Sequence, residues 1–172
     1  MATTRLLELA DVAELTELLR RNREFLRPWD PVRTDEFFTE PAQLGIARTL
    51  LDAHDAGTAV PLVILTREGG LAGRLNLNGV VRGVLQSAAM GYWVGEAFNG
   101  SGLATAAVAE AVELAAGGLG LHRLQAETLL HNSASQRVLA KNGFSRYGLA
   151  PKYLKIAGQW QDHLMFQRLL EP

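Results

Sequence analysis

The sequence predicts one mixed α/β domain, and three observations carry that prediction. Its 172 residues suit a single domain, residues 1–172, with a sizeable core. Helical and strand periodicities succeed one another with no linker, repeat or low-complexity tract between them. At the centre, a strand pattern runs through a glycine turn straight into an alanine-rich helix.

From the amino end, Asp11 to Arg21 sets Val12, Leu15, Leu18 and Leu19 at helical spacing, with Asp11 as candidate N-cap. In the next segment, NREFLRPWDPVRTDEFF, Pro28 and Pro31 forbid a regular helix, yet Phe25, Leu26 and Trp29 are too apolar for an idle loop. Glu40 to Ala56 is helical again, with Leu44, Ala47, Leu51 and His54 on one stripe. Three strand patterns follow: Val60 to Thr66, Leu71 to Leu77 and Ser87 to Val94, the first two joined by a hairpin turn at Gly69-Gly70. The helix from Leu103 has Gly117 and Gly118 as C-cap candidates. Arg123 to Leu130 reads as a strand and Asn132 to Lys141 as a short helix, with Gly143 placed for a left-handed cap. Ser145 to Ile156 and Trp160 to Leu169 are strands around a turn at Gly158. The order is helix, helix, three strands, helix, strand, helix, two strands.

Composition narrows the function. Seventeen basic and eighteen acidic side chains leave a formal charge of −1, which argues against a nucleic-acid binder working through a broad basic surface. The absence of cysteine removes disulfides, thiolate metal sites and a cysteine nucleophile together. His54, His122, His131 and His163 show no metal-ligand spacing, so no metal is expected. No stretch approaches a membrane span, and MATTRLLELAD lacks the apolar core of a signal peptide; a soluble cytoplasmic domain is expected.

The glycine turn is the first chemical signal. Gly100-Ser101-Gly102 lies before a helix whose free amides and dipole suit a phosphate. It is neither a GxxxxGK[ST] loop nor a full GxGxxG, and a bare GxG is equally an ordinary turn at a helix start. Some thirty residues on, HNSASQRVLAKNGF puts Asn132 and Ser135 on one turn at a helix N-terminus. Cap, solvent face and core explain those residues as well as a binding site does.

Together, however, GYWVGEAFNGSGLATAA and ETLLHNSASQRVLAKNGF resemble the two acyl-CoA motifs of the GNAT N-acetyltransferases. RNREFLRPWDPVR and YLKIAGQWQDH extend the resemblance to the RimJ/RimL group, so it covers most of the chain. It implies a central, mostly antiparallel, splayed sheet of about six to seven strands flanked by about four helices. It also implies acetyl-CoA as cosubstrate, held by Trp93, Val94, Asn99, Gly100, Ser101 and Gly102, then by Leu103, Ala104 and Thr105. Asn132 and Lys141 complete that set from the second motif. Two positions depart from the pattern: Ala97 replaces the usual Gln or Arg, and Leu139 replaces the tyrosine acid of many relatives.

The implied reaction is direct attack by an amine on the thioester, without a covalent acyl-enzyme. A protein α-amine, with a pKa of about 8, asks little of a base. By resemblance Glu127 is the base candidate and Ser135 the acid, with a backbone N–H near Trp93 or Val94 for the oxyanion. Trp29, Tyr153 and Asp162 are expected at the acceptor channel, Asp162 being also a rival base. The expected acceptor is a protein N-terminus, with a ribosomal protein the natural choice, met by a monomer or homodimer. Acetylation of a small amine such as an antibiotic or polyamine, and a non-catalytic acetyl-CoA-binding module, stay open.

Overall fold

A computed structural model describes residues 3–170; residues 1–2 of the amino-terminal segment read above, and residues 171–172, lie outside it. Seven strands form one sheet: β1 (Thr4–Leu6), β2 (Ala59–Leu65), β3 (Leu71–Val81), β4 (Ser87–Val94), β5 (Arg123–Leu129), β6 (Ser145–Ile156) and β7 (Gln159–Leu169). Five helices accompany them: α1 (Val12–Arg21), α2 (Arg23–Leu26), α3 (Glu40–Asp55), α4 (Leu103–Glu113) and α5 (Ser133–Lys141). The strand order is β1-β2-β3-β4-β5-β7-β6, antiparallel at every step except the parallel pair β4–β5.

That parallel pair is short. Only Ser87–Ala89 is in register with Arg123–Gln125; beyond it the strands part. On one side of the sheet, α4 and α5 bury Ala107, Val108, Ala111 and Leu139 against Leu75, Met90, Leu124 and Phe166. On the other side, α1 and α3 bury Leu15, Leu18, Leu19 and Ala47 against Val63 and Leu71. Alternation along β2 explains the division, since Val60, Leu62 and Ile64 serve the first core and Val63 the second.

Several expectations change. β1 is an additional strand, held at its start by Glu110, whose carboxylate accepts from the Thr3 and Thr4 amides at 2.6 and 2.7 Å. The seven strands agree with the expected six to seven, and among the described residues the helices come to five, the expected four or so plus α2, a single turn that stops short of Pro28. Asp11 does not cap α1. Its carboxylate accepts from the Glu8 amide at 2.8 Å and pairs with Arg5 at 2.6 Å, closing the preceding 3₁₀ turn. Gly117 and Gly118 lie inside a π-turn, Leu114–Gly118, and the left-handed residue that follows is Gly120 at φ +59°. Gly143 takes the positive φ expected of it, and Gly158 sits in the expected turn with φ +82°.

Candidate active site

β4 leads into the site. A buried amide, Asn22, secures the turn after it: Nδ2 donates to Leu18 O at 2.8 Å and Oδ1 accepts from the Glu96 amide at 2.7 Å. The loop then reaches Gly100 and Gly102 at φ +74° and +86°, conformations only glycine adopts without strain. A methyl group added at either would meet nothing within 4 Å, because both look into an open cleft. The first amides of α4, at Leu103, Ala104 and Thr105, have no partner inside the helix and point the same way. A second buried amide, Asn142, ties α5 to α4 by donating to Val138 O at 2.9 Å and Thr105 O at 3.2 Å.

The cleft between these helices holds about 580 Å³. Its lining includes Trp93, Val94, Asn99, Gly100, Gly102, Leu103, Ala104, Thr105, Asn132 and Lys141, ten of the residues expected to bind acetyl-CoA. Ser101 is absent from the lining; its hydroxyl turns back to bond Phe98 O. Asn132 caps α5, accepting from the Ser135 amide at 3.1 Å. Glycine amides, a helix N-terminus and one lysine form an anion cradle of the right chemistry for a pyrophosphate. The residues present therefore fit acetyl-CoA.

Ser135 also lines the cleft, joined by a residue that sequence reasoning missed. Tyr92 sits with its hydroxyl 2.8 Å from Ser135 Oγ. Burial pushes the Tyr92 phenol up to about 12, more than the Ser135 hydrogen bond lowers it, so it stays protonated at working pH. Leu139, at the usual tyrosine position, is fully buried in the core instead. Trp29 walls the mouth and stacks at 5.3 Å on His131, a second residue that was not expected there. Phe25, Leu26 and Phe98 complete the apolar side.

A model of the family described as "Acetyltransferase (GNAT) domain" matches residues 3–145. The chain belongs to the GNAT acetyltransferases. It is 34% identical to the [ribosomal protein uS5]-alanine N-acetyltransferase of Escherichia coli, over 94% of this chain and 84% of that one. It is 35% identical to the probable N-acetyltransferase YjcK of Bacillus subtilis, over 91% and 87%. Among solved structures, Mycobacterium smegmatis RimJ in complex with CoA-disulfide superposes with a TM-score of 0.93 at 31% identity, covering 96% of this chain and 80% of that one.

In this GNAT acetyltransferase, Glu127 and Tyr153 lie on the opposite side of the sheet from α4 and α5, while Asp162 shares the alternation of Leu164 and Phe166 on the α4–α5 side. Glu127 is on β5 opposite Met165 of β7, and no ion pair within 4 Å engages it among the described residues. Burial raises its carboxyl pKa above the usual range, offset in part by His163. Tyr153 packs edge-on to the buried His163 at 5.6 Å. Asp162 is committed to the fold, accepting from the Lys152 amide at 2.8 Å where the β6–β7 register shifts. None of these three lines the cleft. Between the two sides β4 and β5 pair only over Ser87–Ala89 and Arg123–Gln125.

Proposed function

We propose that this acetyltransferase acts on the N-terminal α-amine of a protein, in the cytoplasm, with a small first residue. The observation that carries the reading is the gap between β4 and β5. It is faced by the Ser135–Tyr92 hydroxyl pair from the α5 side and by Glu127 from the other. Donor and acceptor would meet in that gap from opposite faces of the sheet. Identity of about one third with an alanine N-acetyltransferase of ribosomal protein uS5 supports a ribosomal protein as acceptor.

Bound acetyl-CoA supplies an acetyl thioester for direct attack, so that a C–N bond forms as the C–S bond breaks. Glu127 accepts the proton lost by the acceptor nitrogen, directly or through water. Ser135 Oγ–H gives a proton to the leaving sulfur, and the phenol of Tyr92 donates behind it. Strand alternation provides the oxyanion donor. The Trp93 carbonyl presses against Gly73 of β3, and the Gly95 amide donates to Ala72 O at 2.8 Å. Successive amides point to opposite sides, so the Val94 N–H between them faces the gap.

The test is thiol release from acetyl-CoA with peptides beginning Ala, Ser, Met or Lys, beside polyamines and aminoglycosides. Release with Ala- or Ser-initiated peptides is expected. Release only with a small amine would replace the acceptor, and tight acetyl-CoA binding without release from any acceptor would make the protein a regulatory module.

A further inference from the structure

Beside Glu127, a second charged side chain near the gap has no counter-ion among the described residues. Arg74 of β3 lies opposite Trp93 of β4 and Val63 of β2, on the same sheet face as Glu127. With the Asn76 amide oriented to satisfy both of its ends, Arg74 Nη2 donates to Asn76 Oδ1 at 3.2 Å and the amide nitrogen donates to Leu75 O at 3.2 Å. Among the described residues no carboxylate comes within 4 Å of this guanidinium. Arg5, Arg20, Arg23, Arg27 and Arg33 each have such a partner, although they lie at the surface or close to it.

Burial lowers the Arg74 pKa, Arg33 lowers it further, and Asp30 opposes them. Asp30 and Arg33 are bonded to each other at 2.9 Å, so their fields largely cancel at Arg74. The one enclosed, unpartnered side-chain polar atom among the described residues is Gln43 Oε1, so the free N–H groups of Arg74 still open onto a space. That space is defined. Asn76 stands opposite Gly91 of β4, which is exposed and whose absent side chain would meet nothing within 4 Å. Beyond Gly91 the sheet parts, and Glu127 is on the far side.

We propose that Arg74, supported by Asn76, is a specificity-determining residue that binds a carboxylate borne within the first few residues of the acceptor peptide. The inference rests on the N-terminal acetyltransferase reading above. A partly desolvated guanidinium that keeps its charge gains most from a bidentate carboxylate, which returns the interaction its burial removed. It also repels cations, which turns polyamines away from the same channel. Arg74 and Glu127 are two strand spacings apart, at least about 10 Å, or roughly three residues of extended peptide. An amine at Glu127 therefore places residues two to four at Arg74.

The experiment compares kcat/KM for Ala-initiated peptides identical except for Asp, Asn or Lys at each of positions 2 to 4, using wild type, Arg74→Gln and Arg74→Lys. Wild type is expected to prefer Asp over Asn by about tenfold at one position or more, with Lys the poorest. Arg74→Gln should bring the Asp/Asn ratio close to one while leaving the Asn peptide and the KM for acetyl-CoA within about threefold. Arg74→Lys should keep part of the preference. Wild-type indifference to Asp overturns the proposal without any variant, as does a preference that survives in a folded Arg74→Gln. Failure to acetylate any peptide overturns the N-terminal acceptor reading, and this inference with it.

Discussion

The proton on Tyr92 is held by burial, and that makes the Ser135–Tyr92 pair a donor at every working pH. Ser135→Ala should lower kcat by about 10²- to 10⁴-fold, with the acetyl-CoA Kd unchanged within about twofold because Asn132 still caps α5. Calorimetry beside single-turnover kinetics checks both halves. Tyr92→Phe should show the same split at smaller size. Glu127 gives a pH signature. Its raised pKa means the basic form is lost as pH falls through a value above the usual 4.5, so kcat/KM should rise with pH through that value, and Glu127→Gln should abolish this limb. Part of this scale was legible, but through resemblance: spacing alone left the glycines, Asn132 and Ser135 equally readable as turn, cap and solvent face, and it was the pairing of the two motif stretches that pointed to the cleft they line. Tyr92 was not legible, because its partner is 43 residues away and only strand pairing shows which side of β4 it faces. Arg74 and Asn22 were hidden for the same reason.

At the scale of elements, β3 sets the position of β4 through one missing side chain. A methyl group on Gly73 would lie 2.1 Å from the Trp93 carbonyl oxygen, a contact that backbone must move to relieve. Gly73→Ala should therefore displace the Val94 amide and lower kcat, and destabilise the fold by about 1–3 kcal/mol as an overpacked site; a denaturant titration checks the second effect. β1 hangs on Glu110. Burial favours its neutral form, but the hydrogen bonds from Thr3 and Thr4 outweigh burial and leave its pKa below 4.5. The sign follows: the tether is present above the unfolded pKa and is lost as pH falls through the lower folded value. Glu110→Gln should remove that part of the acid dependence of stability and speed hydrogen exchange in Thr4–Leu6. Long periodic elements were legible, and Ser87–Val94 matches β4 residue for residue. β1 and α2 escaped because three or four residues carry no period, and Asp11 misled because its carboxylate serves the turn behind it.

For the whole molecule, one sheet with a core on each side makes a two-sided enzyme possible. α4 and α5 hold the anion cradle on one side, α1 and α3 pack the other, and β4 and β5 pair only over a short stretch between them. Cradle and core are mechanically one, since Leu139 anchors α5 with no exposure. Leu139→Ala should cost about 2–5 kcal/mol by leaving a cavity, and should weaken acetyl-CoA binding in the same protein. The topology came from a resemblance and not from periodicity, which gives element order but not which strands part. The central claim is that an acceptor α-amine enters the gap between β4 and β5. It is tested by thiol release from acetyl-CoA with an Ala-initiated peptide containing an internal lysine, compared with the same peptide blocked at its α-amine. Release with the free peptide and none with the blocked one is the predicted result; equal release from both would place the reaction on the lysine side chain and contradict the account.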